Sequence, residues 1–262
     1  MKLISLNTWG AMQGQIFFDY IKEQGETTDI FCFQEVFSAK EPAPKTMSGE
    51  RYFLFQELSK LMSEFTGFFA KRSEGYDFAG KVSFPLEHGI AIFVRKSLTI
   101  QEHVVISLSS EHNLEDPVEG TTIAQLLRVK VDKDPLTIIN YHGPASPGDK
   151  LDTPSRLEMS KLLRSLWEKE SINNKILCGD FNLMPNTQSV KILETCGKNL
   201  IQEFNIQNTR NEISWTKYNN KQYFADYAFV SKSIQVKSFI VPYNLVSDHL
   251  PMVVDFDLKI EK

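Results

Sequence analysis

A chain of 262 residues, 42% of them hydrophobic, can bury a large core as one α/β domain over 1–262. Its formal net charge of −4 argues against a protein that grips nucleic acid through a broad basic surface. No apolar run approaches the roughly 20 residues of a membrane span, no signal-like stretch precedes Asn7, and Cys32, Cys178 and Cys196 lack metal-binding spacing. The expectation is a cytoplasmic monomer with reduced cysteines and no membrane anchor.

In chain order, short apolar segments read as strands at Lys2–Leu6, Asp29–Gln34, Gly67–Lys71, Gly89–Arg95, Thr121–Val131, Leu136–His142, Lys175–Asp180, Ala225–Ser231, Val236–Pro242 and Met252–Leu258. Helices are expected over Ile16–Gln24, stopping at Gly25, over Glu50–Phe65, after Thr153, and between Asn186 and Gly197. The third has the clearest signals: Thr153 caps, Pro154 suits the first helical position, and Met159, Leu162, Leu163 and Leu166 recur at helical spacing. Phe37–Gly49 and Glu74–Glu87 read as long loops of the kind that shape binding sites.

Polar clusters recur where these strands end. The most informative is Gly179-Asp180-Phe181-Asn182, where alternation sets a carboxylate and an amide on one face, able to converge on a water or a metal ion. An isolated Gly-Asp-x-Asn is equally an ordinary turn. It is accompanied by Ser5-Leu6-Asn7-Thr8-Trp9-Gly10, Phe33-Gln34-Glu35-Val36, Asn140-Tyr141-His142-Gly143, Phe224-Ala225-Asp226-Tyr227 and Ser247-Asp248-His249-Leu250-Pro251.

That ordered series resembles the endonuclease/exonuclease/phosphatase superfamily, the group with the deoxyribonuclease I-like fold, over residues 3–258. The resemblance implies a four-layer αββα sandwich of two mainly antiparallel sheets flanked by helices. It also implies a phosphoester hydrolase dependent on Mg2+ or Mn2+. In that scheme Asn7, Glu35 and Asp248 hold the metal, and Asp180 is the general base or binds the nucleophilic hydroxide. Asn182 orients the nucleophile, Asp226 holds His249 against the phosphate, and His142 helps protonate the leaving oxygen. Arg156 and Arg210 are candidate substrate contacts, because Arg grips phosphate with two donors. Trp9, Phe37, Tyr76 and Trp215 are candidate pocket aromatics.

One departure matters. Abasic-site nucleases of the superfamily carry an Asp two residues after the first Asn, where this chain has Trp9. Asn7-Thr8-Trp9-Gly10 is nearer to phosphodiesterases such as neutral sphingomyelinases. A phosphodiesterase with an unidentified phosphoester substrate is therefore expected ahead of a DNA or RNA nuclease, and the metal count stays open. A third alternative, an inactive binding module of the same fold, fits poorly with a full set of site residues.

Overall fold

The computed structural model describes residues 1–40, 43–44, 46, 49–109, 120–215 and 222–259, with the side chains at 214 and 215 excepted. The strands are β1 (Lys2–Asn7), β2 (Ile30–Ala39), β3 (Phe65–Glu74), β4 (Tyr76–Asp77), β5 (Gly80–Lys81), β6 (Leu86–Arg95) and β7 (Thr99–Ser107), then β8 (Ile123–Val131), β9 (Asp134–His142), β10 (Lys175–Asp180), β11 (Lys198–Asn199), β12 (Asp226–Val230), β13 (Ile234–Ile240) and β14 (Met252–Leu258). The helices are α1 (Gln15–Gly25), α2 (Leu54–Leu61), α3 (Pro154–Lys169), α4 (Gln188–Leu193), α5 (Leu200–Glu203) and α6 (Glu212–Trp215).

Alternation along each strand decides the layering. In β1 and β2, Leu3, Ile30 and Cys32 join residues such as Leu126, Ile138, Ile176 and Ala228 of the opposite sheet in one buried core. Their neighbours Ile4, Leu6, Phe31 and Phe33 face the other way, onto Phe17, Tyr20 and Ile21 of α1 and Leu54 and Leu58 of α2. Met159, Leu163 and Trp167 of α3 cover the second sheet. Helices therefore lie outside two packed sheets, and the four-layer sandwich expected from the sequence is the observed architecture.

The sheets share a plan. One runs β13-β14-β1-β2-β6-β3 and the other β11-β12-β10-β9-β8-β7. The central pairs β1/β2 and β9/β10 are parallel, and every pairing outside them is antiparallel. Each sheet thus delivers two adjacent C-terminal strand ends to one edge of the sandwich.

Several boundaries differ from the sequence expectation. The segment after Glu35 is not a loop at once: β2 continues to Ala39 after a register shift between Phe33 and Val36. The helix expected from Glu50 begins at Leu54, because the fully buried Glu50 accepts from Thr46 Oγ1 at 2.9 Å and from the Phe78 amide at 3.2 Å. Within Glu74–Glu87, Asp77 closes the β4-β5 turn by accepting from the Ala79 and Gly80 amides at 2.8 and 2.9 Å. Edge strand β7 was not anticipated. In α3, Thr153 Oγ1 accepts from the Arg156 amide at 3.1 Å, as a cap should.

Gly179, one residue before Asp180, sits at φ +140°, and a Cβ there would lie 1.9 Å from the Tyr141 carbonyl of β9. No side chain fits without parting β9 from β10. Gly14 also has positive φ, +58°, but a Cβ would meet nothing within 4 Å. Urea denaturation is expected to show Gly179→Ala losing about 3 kcal/mol or more and Gly14→Ala only about 1 kcal/mol. Equal losses would contradict this account of the β9/β10 contact.

Candidate active site

Asp180 ends β10 beside His142 at the end of β9, and opposite Asp226 at the start of β12. Asn7 ends β1, and Gln34 lies beside it on β2. A short isolated bridge, Arg210 to His249, brings the C-terminal Ser-Asp-His segment to the same edge.

Glu35 reaches this edge because the strand is bulged there. Its φ is +55°, unusual for a residue with a side chain, and the pairing to β6 skips from Phe33 to Val36. Thr8 supports the bulge: its hydroxyl donates to the Gln34 and Glu35 carbonyls at 3.0 and 2.8 Å. Beneath it, Asn140 of the other sheet donates to the Phe33 and Ala91 carbonyls at 3.1 and 3.2 Å and accepts from Gln34 Nε2 at 2.8 Å. Buried amides thus add partners to backbone carbonyls beside the bulge.

Asp180 is the hub. Its Oδ1 accepts from the Asn182 amide at 2.8 Å and its Oδ2 from Asn7 Nδ2 at 3.0 Å. The Nε2 atoms of His142 and His249 each stand 3.7 Å from the same Oδ2. Burial alone would raise this carboxyl, but the charges of His249 and Lys150 and the Asn7 hydrogen bond hold it far below the usual carboxylate range. Asp180 is therefore ionised throughout the neutral range.

His249 is the opposite case. Its Nδ1 lies 3.0 and 2.8 Å from the two Asp226 oxygens. Burial disfavours its charge, yet Asp226, Asp248 and Asp180 push it up to about 9, so the ring is an imidazolium at neutral pH. Burial raises Asp226, against the pull of His249. The Thr209 hydroxyl steadies that carboxylate's strand by accepting from the Asp226 amide at 3.1 Å.

Glu35 lies 2.9 Å from Asn7 Nδ2, which links it to Asp180. Burial, then the charge of Asp248, lifts Glu35 to about 7 against Asn7 and His249, with Asp180 adding to the rise. Crowded carboxylates of this kind are relieved by a cation. Glu35, His142 and Asp180 offer atoms within 4.8 Å of one another, as do Asp180, Asp226 and His249. The buried acidic and histidine cluster has the composition of a divalent-metal site.

The remaining sequence candidates are placed as follows. The Asn7 side-chain oxygen accepts from the Trp9 amide at 3.0 Å, so its NH2 is the end that faces the two carboxylates. Asp248 lies 3.5 Å from Arg210 Nη2 and 3.9 Å from His249 Nε2. Asn182, at φ +54°, donates to the Gly143 carbonyl at 3.2 Å. Arg210 is buried at the site edge, donating to Gln222 Oε1 at 3.0 Å. Arg156 is only 1% exposed and donates to the carbonyls of Pro144, Ala145, Pro147 and Leu151, which makes it the clamp of the loop after His142. The Trp215 side chain lies outside the described residues.

Lys150, a basic residue of the same segment that the sequence ranks behind Arg156, is carried inward by that clamped loop. It is 5% exposed and its ammonium donates to Asn182 Oδ1. Burial, then Arg210, lowers it to about 8, while Asp180 and Asp226 oppose the shift. Its neighbour Asp149 is only half-buried, and nothing in the spacing separates the two.

Comparison with known proteins agrees with the geometry. The Endonuclease/Exonuclease/phosphatase family model matches residues 4–249. No curated protein matches the chain in sequence. Among solved structures, an endonuclease/exonuclease/phosphatase family protein from Leptotrichia buccalis superposes with a TM-score of 0.70 at 16% identity, covering 98% of this chain and 100% of the other. A mannosyl-6-phosphatase from Bacteroides thetaiotaomicron gives 0.66 at 19% identity, over 98% and 100% of the two chains. The human Nocturnin catalytic domain with bound sulfate gives 0.67 at 20% identity, over 99% and 93%. At these identities the structures establish a shared fold, and the family match establishes membership. The chain belongs to the endonuclease/exonuclease/phosphatase family, whose members hydrolyse phosphoesters.

Proposed function

We propose that this chain is a phosphodiesterase dependent on Mg2+ or Mn2+, acting as a monomeric, cytoplasmic catalytic domain. The observation that carries the reading is the Asp180 oxygen faced by two imidazole Nε2 atoms, each at 3.7 Å. Each separation exceeds a hydrogen bond, so a water or phosphoryl oxygen seated beside the pair can meet both the carboxylate and the ring nitrogen at about 2.8 Å.

Glu35 and Asp248 supply the hard carboxylate oxygens for the cation, and the Asn7 NH2 keeps Glu35 turned toward it. A cation bound there would neutralise phosphate charge and acidify a neighbouring water. Asp180 orients that water and accepts its proton as the new P–O bond forms and the bond to the leaving oxygen breaks. The His249 imidazolium, held by Asp226, donates to a phosphoryl oxygen where negative charge gathers. Lys150 and Arg210 supply the remaining cationic contacts, the role expected of Arg156 passing to Lys150 because the Arg156 donors already serve the loop.

The net charge of −4 and the confinement of these cations to buried positions favour a compact phosphoester over an extended nucleic acid. The identity of the ester is set by loops around this edge, not by the shared centre.

With an activated phosphodiester and Mg2+, Asp180→Asn is expected to lower kcat roughly 10³-fold while unfolding as cooperatively as wild type. Activity within threefold of wild type would remove Asp180 from its role. Cation binding is separable from turnover: Mg2+ at 100 times its Kd should stabilise the protein by about 2.7 kcal/mol. Thermal denaturation against Mg2+ concentration should show Glu35→Gln needing roughly 10-fold more cation. An unchanged midpoint would take Glu35 away from the ion.

A further inference from the structure

We propose that Arg72 fixes His142 as a neutral imidazole with its proton on Nε2, so that His142 is a standing hydrogen-bond donor to the substrate phosphoryl group, neither a metal ligand nor a proton donor. The inference rests on the phosphoester reading above, and it departs from the expectation that this histidine protonates the leaving oxygen.

Arg72 Nη1 lies 2.5 Å from His142 Nδ1, and both side chains are 2% exposed. A guanidinium has donors only and keeps its proton at any accessible pH, so Nδ1 must present its lone pair. The single ring proton then sits on Nε2. That atom is buried without a hydrogen-bond partner among the described residues, 3.8 Å from Glu35 Oε1 and 3.7 Å from Asp180 Oδ2. A buried donor left open toward the catalytic carboxylates is satisfied by an oxygen that arrives with the substrate.

Arg72 is not free to leave. Its Nε donates to the Thr121 carbonyl at 3.2 Å, and its own carbonyl accepts from the Thr121 amide at 3.0 Å. Gly120, at φ +58°, lets the chain pass there, since a Cβ would lie 2.3 Å from the Arg72 carbonyl oxygen. The titratable and charged groups facing the ring are Arg72 on β3, His88 on β6, Glu35 on β2, Asp180 on β10 and His249 before β14. Burial, and then Arg72, outweigh the pull of Asp180 and keep the ring neutral.

Two roles are thereby closed. Binding a cation through Nε2 would move the proton to Nδ1, N–H against N–H with the guanidinium, so the close set of Glu35, His142 and Asp180 is not a ligand triad. Giving up the Nε2 proton would leave an imidazolate, which a neutral ring does not do near pH 7.

The test reads the tautomer directly. Protein labelled with 15N-histidine, with the His142 signal identified by its loss in His142→Ala, should show Nε2 protonated and Nδ1 bare at neutral pH, unmoved by Mg2+. Arg72→Lys should keep that pattern and Arg72→Met release it. An Nδ1–H tautomer, an imidazolium, or an Nε2 signal displaced by Mg2+ would overturn the inference. Kinetics give a second judgement: His142→Ala should lower kcat by one common factor, about 10²-fold, for an aryl and an alkyl phosphodiester. A loss confined to the alkyl ester, whose leaving oxygen needs a proton, would mark a general acid and also overturn it. If wild type hydrolyses neither ester, the hydrolase reading fails while the tautomer measurement still decides the role of Arg72.

Discussion

An ionised carboxylate with 2% of its side chain exposed must be compensated on every side, and Asp180 sets that requirement for the whole catalytic edge. One oxygen is held by the Asn182 amide, which demands the tight left-handed turn after β10. The other is held by Asn7, which requires the end of β1, in the facing sheet, to stand opposite. His249 and Lys150 add positive charge from two further segments. Each partner comes from a different element, so the site exists only when both sheets are packed. Fold and chemistry are therefore coupled through one buried charge.

The shared plan of the two sheets explains how so many segments converge. A parallel pair at the centre of each sheet ends its strands on the same side, and antiparallel neighbours begin theirs there. Asn7 and Gln34 end one pair, His142 and Asp180 the other, and Asp226 opens the adjacent antiparallel strand. The buried Gln34 and Asn140 amides tie the sheets immediately below. Replacing such a bridge by apolar groups would strand the Phe33 and Ala91 carbonyls that Asn140 now satisfies.

What the sequence disclosed follows from how local each signal is. Strand ends carrying Asp180, His142 and Asn7 were legible, because an apolar run closing on polar residues depends only on neighbours along the chain. The continuation of β2 through Glu35 was not, since the bulge is stabilised by Thr8 and by Asn140 in another sheet. Edge strand β7 escaped because most of its residues are exposed or half-buried, which blurs the alternation. Lys150 lies in the loop after His142 and Arg156 in the first turn of α3, and only tertiary packing sends the first into the site and turns the second into the loop's clamp. Arg72 fell just past the expected end of its strand, where the pattern shows a surface cation.

The two active-site histidines show why residue type alone underdetermines chemistry. Both place Nε2 3.7 Å from the same Asp180 oxygen, and both are buried. What differs is the group behind the ring. Behind His249 stands a carboxylate, which holds Nδ1–H, makes the ring a cation and aims a charged donor at the phosphate. Behind His142 stands a guanidinium, which can only donate, so it strips Nδ1 of its proton and leaves a neutral donor in front. Asp180 thus faces one charged and one neutral N–H, both placed to meet the oxygens of a phosphoryl group beside the carboxylate. Two imidazolium rings there would oppose each other and deplete the carboxylate's attraction for a cation; one of each keeps that attraction and still offers two donors.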